Sequence, residues 1–485
     1  MKITHIASEC APFAKSGGLG DVVYGLSRMT LTLGHTVKIL IPNYKSHEEK
    51  IEKELFDSFP IKLDGESFDV RVYKAIFHEI EVYTIDSTHS KNLFQRDSIY
   101  GENDDPHRFL CFCYFALSFL SRHLSESPDI LHLHDWPTGF SSCFLKFLFP
   151  DLNKRIKGTL FTIHNLKYQG IVKKNHLDYF NLNPDLLPVS YNQMDNSEYL
   201  NIAKAAIEEA KVCVVVSNTY LNEIKTSIAG EGLQDFIKER SDKFFPILNG
   251  IDTDFWNPEK DPYIHKNYRT NELIDSVIEA KYLNKHHLQK QLNLARSHAP
   301  LFIFVTRLVE QKGPYLIFEA IQQILKRGGQ AVLLGSEPSK ELKSLFESIS
   351  DKENLYLDFT FQEKLSHLCF AAADAIVIPS LFEPCGLTQL IGMRYGTIPV
   401  VRKTGGLSDT VFDIEHSSLP LHLRNGFVFE YPTLDSMDYI INRTIDCYKN
   451  NPSTWKSLIK NCLNNPVGFQ ESAKKYLYLY EMIIS

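Results

Sequence analysis

Ile3-Thr4-His5-Ile6-Ala7, then Lys15-Ser16-Gly17-Gly18-Leu19-Gly20-Asp21, then Val37-Lys38-Ile39-Leu40-Ile41 are the runs whose reading decides the fold. The first and third are short, apolar and rich in β-branched residues, as strands are. Between them Val22, Leu26, Met29 and Leu33 recur at the spacing of one helical face, and Gly34 ends that helix. Strand, glycine-bearing turn, helix and strand make a βαβ unit, whose two strands must be parallel.

The alternation continues along the chain. Further strands are expected at Ile130–Leu133, Thr159–Ile163, Val212–Val216 and Phe245–Leu248, which complete an N-terminal sheet. From Glu259 to about His298 the chain turns polar, with many Lys, Asn and His, and the start of that stretch marks a domain transition. A second series follows at Leu301–Thr306, Ala331–Leu334, Leu355–Leu357, Ala375–Ile378, Ile398–Val401 and Phe427–Phe429. The fold class is therefore α/β with two Rossmann-like domains, which suits a length of 485 residues. Phe469 to Ile484 reads as an amphipathic helix.

Composition excludes several classes of function. A net charge of −7 argues against sequence-independent nucleic-acid binding, which needs a basic surface. Nine cysteines, scattered from Cys10 to Cys462 with no Cys-x-x-Cys, suit reduced thiols and a cytoplasmic location. Lys2 to Ala7 is too short for a signal-peptide core and is interrupted at once by Glu9. The apolar stretch Phe109–Leu120 falls short of the ~18 residues a membrane span needs. The expectation is a chain that neither crosses a membrane nor is secreted.

In parallel α/β sheets ligands bind beyond the carboxyl ends of the strands, so the residues there carry the functional argument. The first such loop offers Lys15, Gly17, Gly18 and Asp21 at a helix start, where bare N–H groups and a cation would suit a phosphate. A plain strand-to-helix turn would look the same. His134-Asp135-Trp136 and His164-Asn165 follow two further strands, each readable as catalytic or as structural. In the second half Arg307 and Lys312 follow one strand; as surface residues they would be a solvated pair, and near a diphosphate they would neutralise charge that grows in the transition state. Glu383-Pro384 follows another, where the carboxylate reads as a partner of a helix start, and could at the same time accept from sugar hydroxyls. Asp252-Thr253-Asp254 imitates a metal-binding pair, but Asn249-Gly250 and Trp256-Asn257-Pro258 mark it as turn and capping chemistry, so no metal is expected.

Taken together these segments resemble bacterial glycogen synthases and plant starch synthases over nearly the whole chain. The likeness rests on Lys15 to Val22, His134-Asp135-Trp136, Thr162 to Gly170, Leu248 to Asp252, and the run from Phe382-Glu383-Pro384-Cys385-Gly386-Leu387-Thr388 to Thr404-Gly405-Gly406-Leu407. It implies the GT-B architecture: two Rossmann-like domains facing each other across a deep cleft, an acceptor-side domain at 1–250, a donor-side domain at 251–465, and a final helix, 466–485, that crosses back to the first. It implies a retaining glucosyltransferase that moves glucose from a nucleotide-glucose to an α-1,4-glucan, with ADP-glucose the expected donor and UDP-glucose left open. No cofactor is implied. Arg307, Lys312, Glu383, His164 and Asp135 would form the catalytic set, and Lys15, Gly17, Gly18, Asp21, Asn249, Cys385, Gly386, Leu387 and Thr388 would hold the donor. Two departures from the family pattern are Ser16 in place of the usual Thr and Ile391 in place of a second acid eight residues after Glu383. The alternatives are a GT-B transferase with another acceptor and a catalytically silent glucan- or nucleotide-sugar-binding protein.

Overall fold

The computed structural model describes residues 1–45, 51–88, 92–193, 196–336, 338–360 and 362–485. The chain forms two compact units, one built from Met1–Asn249 with Phe469–Ser485 and the other from Gly250–Gly468.

The first unit is organised by a nine-stranded sheet. Its strands are β1 (Lys2–Ile6), β2 (Thr36–Pro42), β3 (Glu54–Leu63), β4 (Glu66–Phe77), β5 (Ile80–Thr88), β6 (Ile130–His134), β7 (Gly158–Ile163), β11 (Val212–Val215) and β12 (Phe244–Pro246). Three short strands, β8 (Ile171–Lys173), β9 (Asn192–Gln193) and β10 (Asn196–Asn201), make a separate antiparallel sheet. The large sheet has the order β12-β11-β7-β6-β1-β2-β5-β4-β3. All neighbours from β12 to β5 are parallel, and β4 and β3 extend the edge antiparallel. Because β1 has β2 on one side and β6 on the other, the chain reverses direction across the sheet between β1 and β6. That is the topological switch point, where loops part and leave room for a ligand.

The helix expected after β1 spans Gly18–Thr32 and buries Val22, Val23, Leu26 and Thr30. Met29 is only half-buried and Leu33 is exposed, since the helix ends at Thr32 and Gly34 turns the chain with φ of +89°. The three strands of Glu54–Thr88 were not expected. Their marker is Asp64-Gly65, both at positive φ in the tight turn between β3 and β4. The final helix, Gln470–Ile484, lies on this unit. Tyr480 Oη is 2.7 Å from His132 Nδ1 and Tyr476 Oη is 3.2 Å from Thr162 Oγ1, while Phe469 fills the space beside Gly25.

The second unit has six parallel strands, β13 (Leu301–Arg307), β14 (Gln330–Ser336), β15 (Leu355–Asp358), β16 (Ala375–Ile378), β17 (Ile398–Arg402) and β18 (Phe427–Phe429). Their order is β15-β14-β13-β16-β17-β18, the Rossmann order, with its switch point between β13 and β16. The central strands are buried on both faces: Leu301, Phe302, Ile303 and Phe304 of β13 are wholly inaccessible, as a parallel sheet between helices requires. The polar stretch before β13 contains a helix, Ile274–Gln291, which buries only a narrow stripe through Val277, Ala280 and Leu288. Lys281 is buried there too, with its ammonium donating to the carbonyls of Ala371 and Tyr395 and to Thr397 Oγ1. All nine cysteines are buried. Among the described residues no helix is long and apolar enough to cross a membrane.

Candidate active site

In the first unit the switch point collects the loop after β1 and the residues that end β6 and β7. Glu9, nearly buried, turns its carboxylate onto the glycine loop, where Oε2 accepts from the backbone N–H of Ser16 at 2.6 Å and of Gly17 at 3.1 Å. Its other oxygen accepts from Tyr100 Oη at 2.7 Å. The loop is thus held by a carboxylate rather than left bare: two of the N–H groups expected to meet an anion are already bonded within the chain. Lys15 is paired with Asp21 at 2.9 Å across the first turn of the helix. Gly17 is extended and precedes the helix without a side-chain cap, and a Cβ built there meets nothing within 4 Å. Gly18 is the first helical residue.

Asp135 follows β6 directly with φ of +53°, a conformation uncommon for a residue with a side chain. Its Oδ1 accepts from the N–H of His164 at 2.7 Å and of Asn165 at 3.3 Å, which ties the end of β6 to the end of β7. Burial pushes its carboxyl up to about 7, the two N–H donors oppose the shift, and the negative charge of nearby Glu9 adds to it. A carboxyl poised near neutrality is the usual mark of a functional position. The His164 imidazole is pulled down to about 3 by burial and is neutral at physiological pH. Asn249 ends the first unit with Oδ1 buried and without a hydrogen-bond partner, an acceptor that a ligand donor would satisfy.

In the second unit the switch point between β13 and β16 brings Lys312 and Glu383 together, and Arg307 is the last residue of β13. After Arg307 the chain makes one turn of 3₁₀ helix, Glu310–Lys312, and reaches Gly313 at φ of +66°. That turn is laced to the segment after β16, with Leu381 N–H donating to Gln311 C=O at 2.8 Å and Gln311 Nε2 donating to Phe382 C=O at 3.2 Å. Lys312 Nζ then lies 2.5 Å from Glu383 Oε2, which also accepts from Ser380 Oγ at 2.9 Å. Glu383 is 7% exposed. Its carboxylate answers a cation and a hydroxyl, and the helix that follows, Thr388–Arg394, begins without a side-chain cap.

The following loop, Cys385-Gly386-Leu387, enters the helix Thr388–Arg394 without a side-chain cap. Gly386 has φ of +76°, and Gln389 Nε2 donates to the Gly386 and Cys385 carbonyls at 2.9 and 3.2 Å, fixing the turn from below. The Thr404-Gly405-Gly406 turn packs its backbone against the same segment: Gly406 N–H donates to Glu383 C=O at 3.0 Å. A Cβ on Gly406 would sit 2.1 Å from the Cys385 carbonyl oxygen. Gly406→Ala must therefore displace the backbone beside Glu383, and it is expected to destabilise the second unit by more than about 3 kcal/mol, read as the midpoint of denaturant unfolding. Gly17→Ala, by contrast, costs at most about 1 kcal/mol in the same measurement, because its Cβ points into open space. If both substitutions prove equally mild, the close approach at Gly406 does not hold the loop.

Asp252 and Asp254 behave as turn residues, since Asp252 Oδ1 accepts from the N–H of Asp254 at 2.8 Å and of Phe255 at 3.1 Å. Glu9 and His5 are site-adjacent groups that the sequence reading passed over, whereas His134, which lies behind His164, was among the strand-end residues it named. The only available signal was that His5 and Glu9 are polar residues on and just beyond the first strand, at the switch point.

The chain as a whole has relatives among known proteins. The family model for the starch synthase catalytic domain matches residues 2–239, and that for glycosyl transferases group 1 matches residues 287–461. The chain is 38% identical to the glycogen synthase of Protochlamydia amoebophila over 497 residues, covering 100% of this chain and 99% of the relative. It is 38% identical to that of Finegoldia magna over 489 residues, with all of both chains covered. Among solved structures it resembles the catalytic domain of starch synthase IV from Arabidopsis thaliana bound to ADP and acarbose, with a TM-score of 0.94, 37% identity and 99% of each chain covered. The sheet orders and this full-length likeness agree: the chain belongs to the glycogen and starch synthase family of glycosyltransferases, with the GT-B fold.

Proposed function

We propose that the protein is a cytoplasmic glycogen synthase that transfers glucose from ADP-glucose to the non-reducing end of an α-1,4-glucan with retention of configuration. The observation that carries this reading is the Lys312–Glu383 pair at the switch point of the second unit, a cation and a carboxylate held 2.5 Å apart. Lys312 and Arg307 neutralise the departing diphosphate, and Glu383 accepts from hydroxyls of the donor glucose. The backbone of Cys385, Gly386, Leu387 and Thr388 holds further hydroxyls. In the first unit Lys15, Gly17, Gly18 and Asp21 meet the donor, Asn249 supplies its unpartnered oxygen, His164 lies against the transferred sugar and Asp135 stands near the reacting centre.

The chemistry is a front-face displacement through an oxocarbenium-like state. The bond from C1 to the phosphate oxygen breaks, the acceptor O4 bonds to C1 on the same face, and the O4 proton passes to the departing phosphate. The protein's part is to position, to neutralise and to exclude water. An assay of nucleoside diphosphate release tests the reading. ADP-glucose with glycogen is expected to give rapid release, UDP-glucose with glycogen at least about tenfold less, and ADP-glucose without a glucan almost none. Release that ignores the glucan, or that requires a different acceptor, overturns the assignment.

A further inference from the structure

Behind His164 the first unit contains a line of imidazoles. His5 Nδ1 lies 2.9 Å from His134 Nε2, and His134 Nδ1 lies 3.0 Å from His164 Nε2. His5 and His134 are wholly buried, whereas His164 is half-buried and ends the line. Burial holds all three neutral, with His5 and His164 pulled down to about 3 and His134 also well below its ordinary value. Each ring therefore carries one proton, and each N···N contact needs one N–H and one lone pair.

Three rings joined by two such contacts can be protonated in only two ways. In one, His5 Nδ1–H donates to His134 Nε2, His134 Nδ1–H donates to His164 Nε2, and His164 keeps its proton on Nδ1. In the other every donor and acceptor is exchanged. The two differ at the inner end, because His5 Nε2 is buried and has no hydrogen-bond partner. The first arrangement leaves a lone pair there and the second leaves an N–H. Orphaned buried N–H groups are rarer than under-satisfied acceptors, so the first arrangement is the stable one. His132 lies outside the line, since its two nitrogens face the hydroxyls of Tyr480 and Thr162, each at 2.7 Å.

His5, His132 and His134 also offer nitrogen atoms within 4.8 Å of one another, a spacing compatible with a metal. The geometry argues against one. The rings of His132 and His134 are stacked at 4.1 Å and 24°, which aims their nitrogens side by side rather than at a common point. Both nitrogens of each, and Nδ1 of His5, are already engaged.

We propose that His5 and His134 are positioning residues that hold His164 in its Nδ1–H tautomer, so that His164 presents an N–H donor to an oxygen of the transferred sugar. This rests on the reading that places His164 against that sugar, but the tautomer can be tested without it. The full chain labelled with ¹⁵N-histidine, with His164 assigned by His164→Gln, is expected to show the His164 ring protonated on Nδ1 and bare on Nε2 at neutral pH. His5→Met puts a sulfur that can accept but not donate beside His134 Nε2, and it is expected to shift His164 toward the Nε2–H form, with kcat falling about tenfold. His5→Phe leaves His134 Nε2 without any partner, and because an orphaned N–H costs more than an orphaned lone pair it is expected to leave His164 on Nδ1. Finding His164 protonated on Nε2 in the unsubstituted protein overturns the proposal, as does a tautomer that His5→Met leaves unmoved. Should His5→Met fail to fold, the spectrum of the unsubstituted chain decides alone. Should His164→Ala turn over normally, the placement of His164 at the sugar fails while the tautomer result stands on its own.

Discussion

Lys312→Ala is expected to lower kcat by about 10²–10³-fold while the KM for the nucleotide-glucose changes less than about tenfold. The charge on the leaving diphosphate grows as the C1–O bond stretches, so a cation fixed beside it gives more to the transition state than to the bound donor. Before any donor binds, Lys312 is held by Glu383, which is itself held by Ser380. The ammonium therefore loses little further freedom when the phosphate arrives. Arg307→Ala should show the same split. Lys312→Arg keeps the charge but replaces a point ammonium with a planar fork, and only partial recovery is expected. Removing Lys312 also leaves a nearly buried carboxylate without its cation, so unfolding of each variant must be measured beside its kinetics. Normal kcat with only a raised KM would remove the transition-state role.

Asp135→Asn is expected to make the protein more stable at pH 8 and less active at every pH. The Asp135 carboxyl rises from about 3.8 in an open chain to about 7 in the fold. Between those values the native state binds a proton that the unfolded state has released. Its stabilising contribution is therefore complete below pH 4 and is lost as pH climbs through 7, a loss of up to about 4 kcal/mol at pH 8. Asparagine keeps the oxygen that accepts from His164 and Asn165 N–H, adopts positive φ more readily, and carries no charge. Denaturant unfolding at pH 4.5 and pH 8 should show nearly equal stabilities at the lower pH and a clear advantage for Asn at the higher one. An advantage of the same size at both values would mean that Asp135 does not titrate in this range.

Apart from β5, the parallel strands of both units were legible because they are buried and stand out as short apolar runs. Ile303, Phe304, Ile376, Val377, Val400 and Val401 are of this kind. The antiparallel edge was not. Its strands alternate exposed and buried residues, so that Phe68, Val70 and Val72 are diluted by Asp69 and Arg71, and only the Asp64-Gly65 turn announced it. The helix Ile274–Gln291 was lost for a related reason, because a stripe as narrow as Val277, Ala280 and Leu288 looks like polar linker when Lys and His surround it.

The site followed the same logic. Arg307, Lys312 and Glu383 could be found because they sit where strands end. The reach of Glu9 to Ser16 and Gly17 could not be read along the sequence, nor could the pairing of His5 with His134 across 129 positions. Those contacts exist only once β1 and β6 lie side by side.

The first unit is discontinuous in sequence, and this sets an order of events during synthesis. Everything from Gly250 to Gly468 leaves the ribosome as one uninterrupted block, and the partner of the His132 ring, Tyr480, is made only after that block. A nascent chain can therefore finish its second unit while the first still lacks the segment that covers Gly25 and Thr162. Until Phe469–Ser485 is made, the first unit waits on a segment that follows the whole of the second.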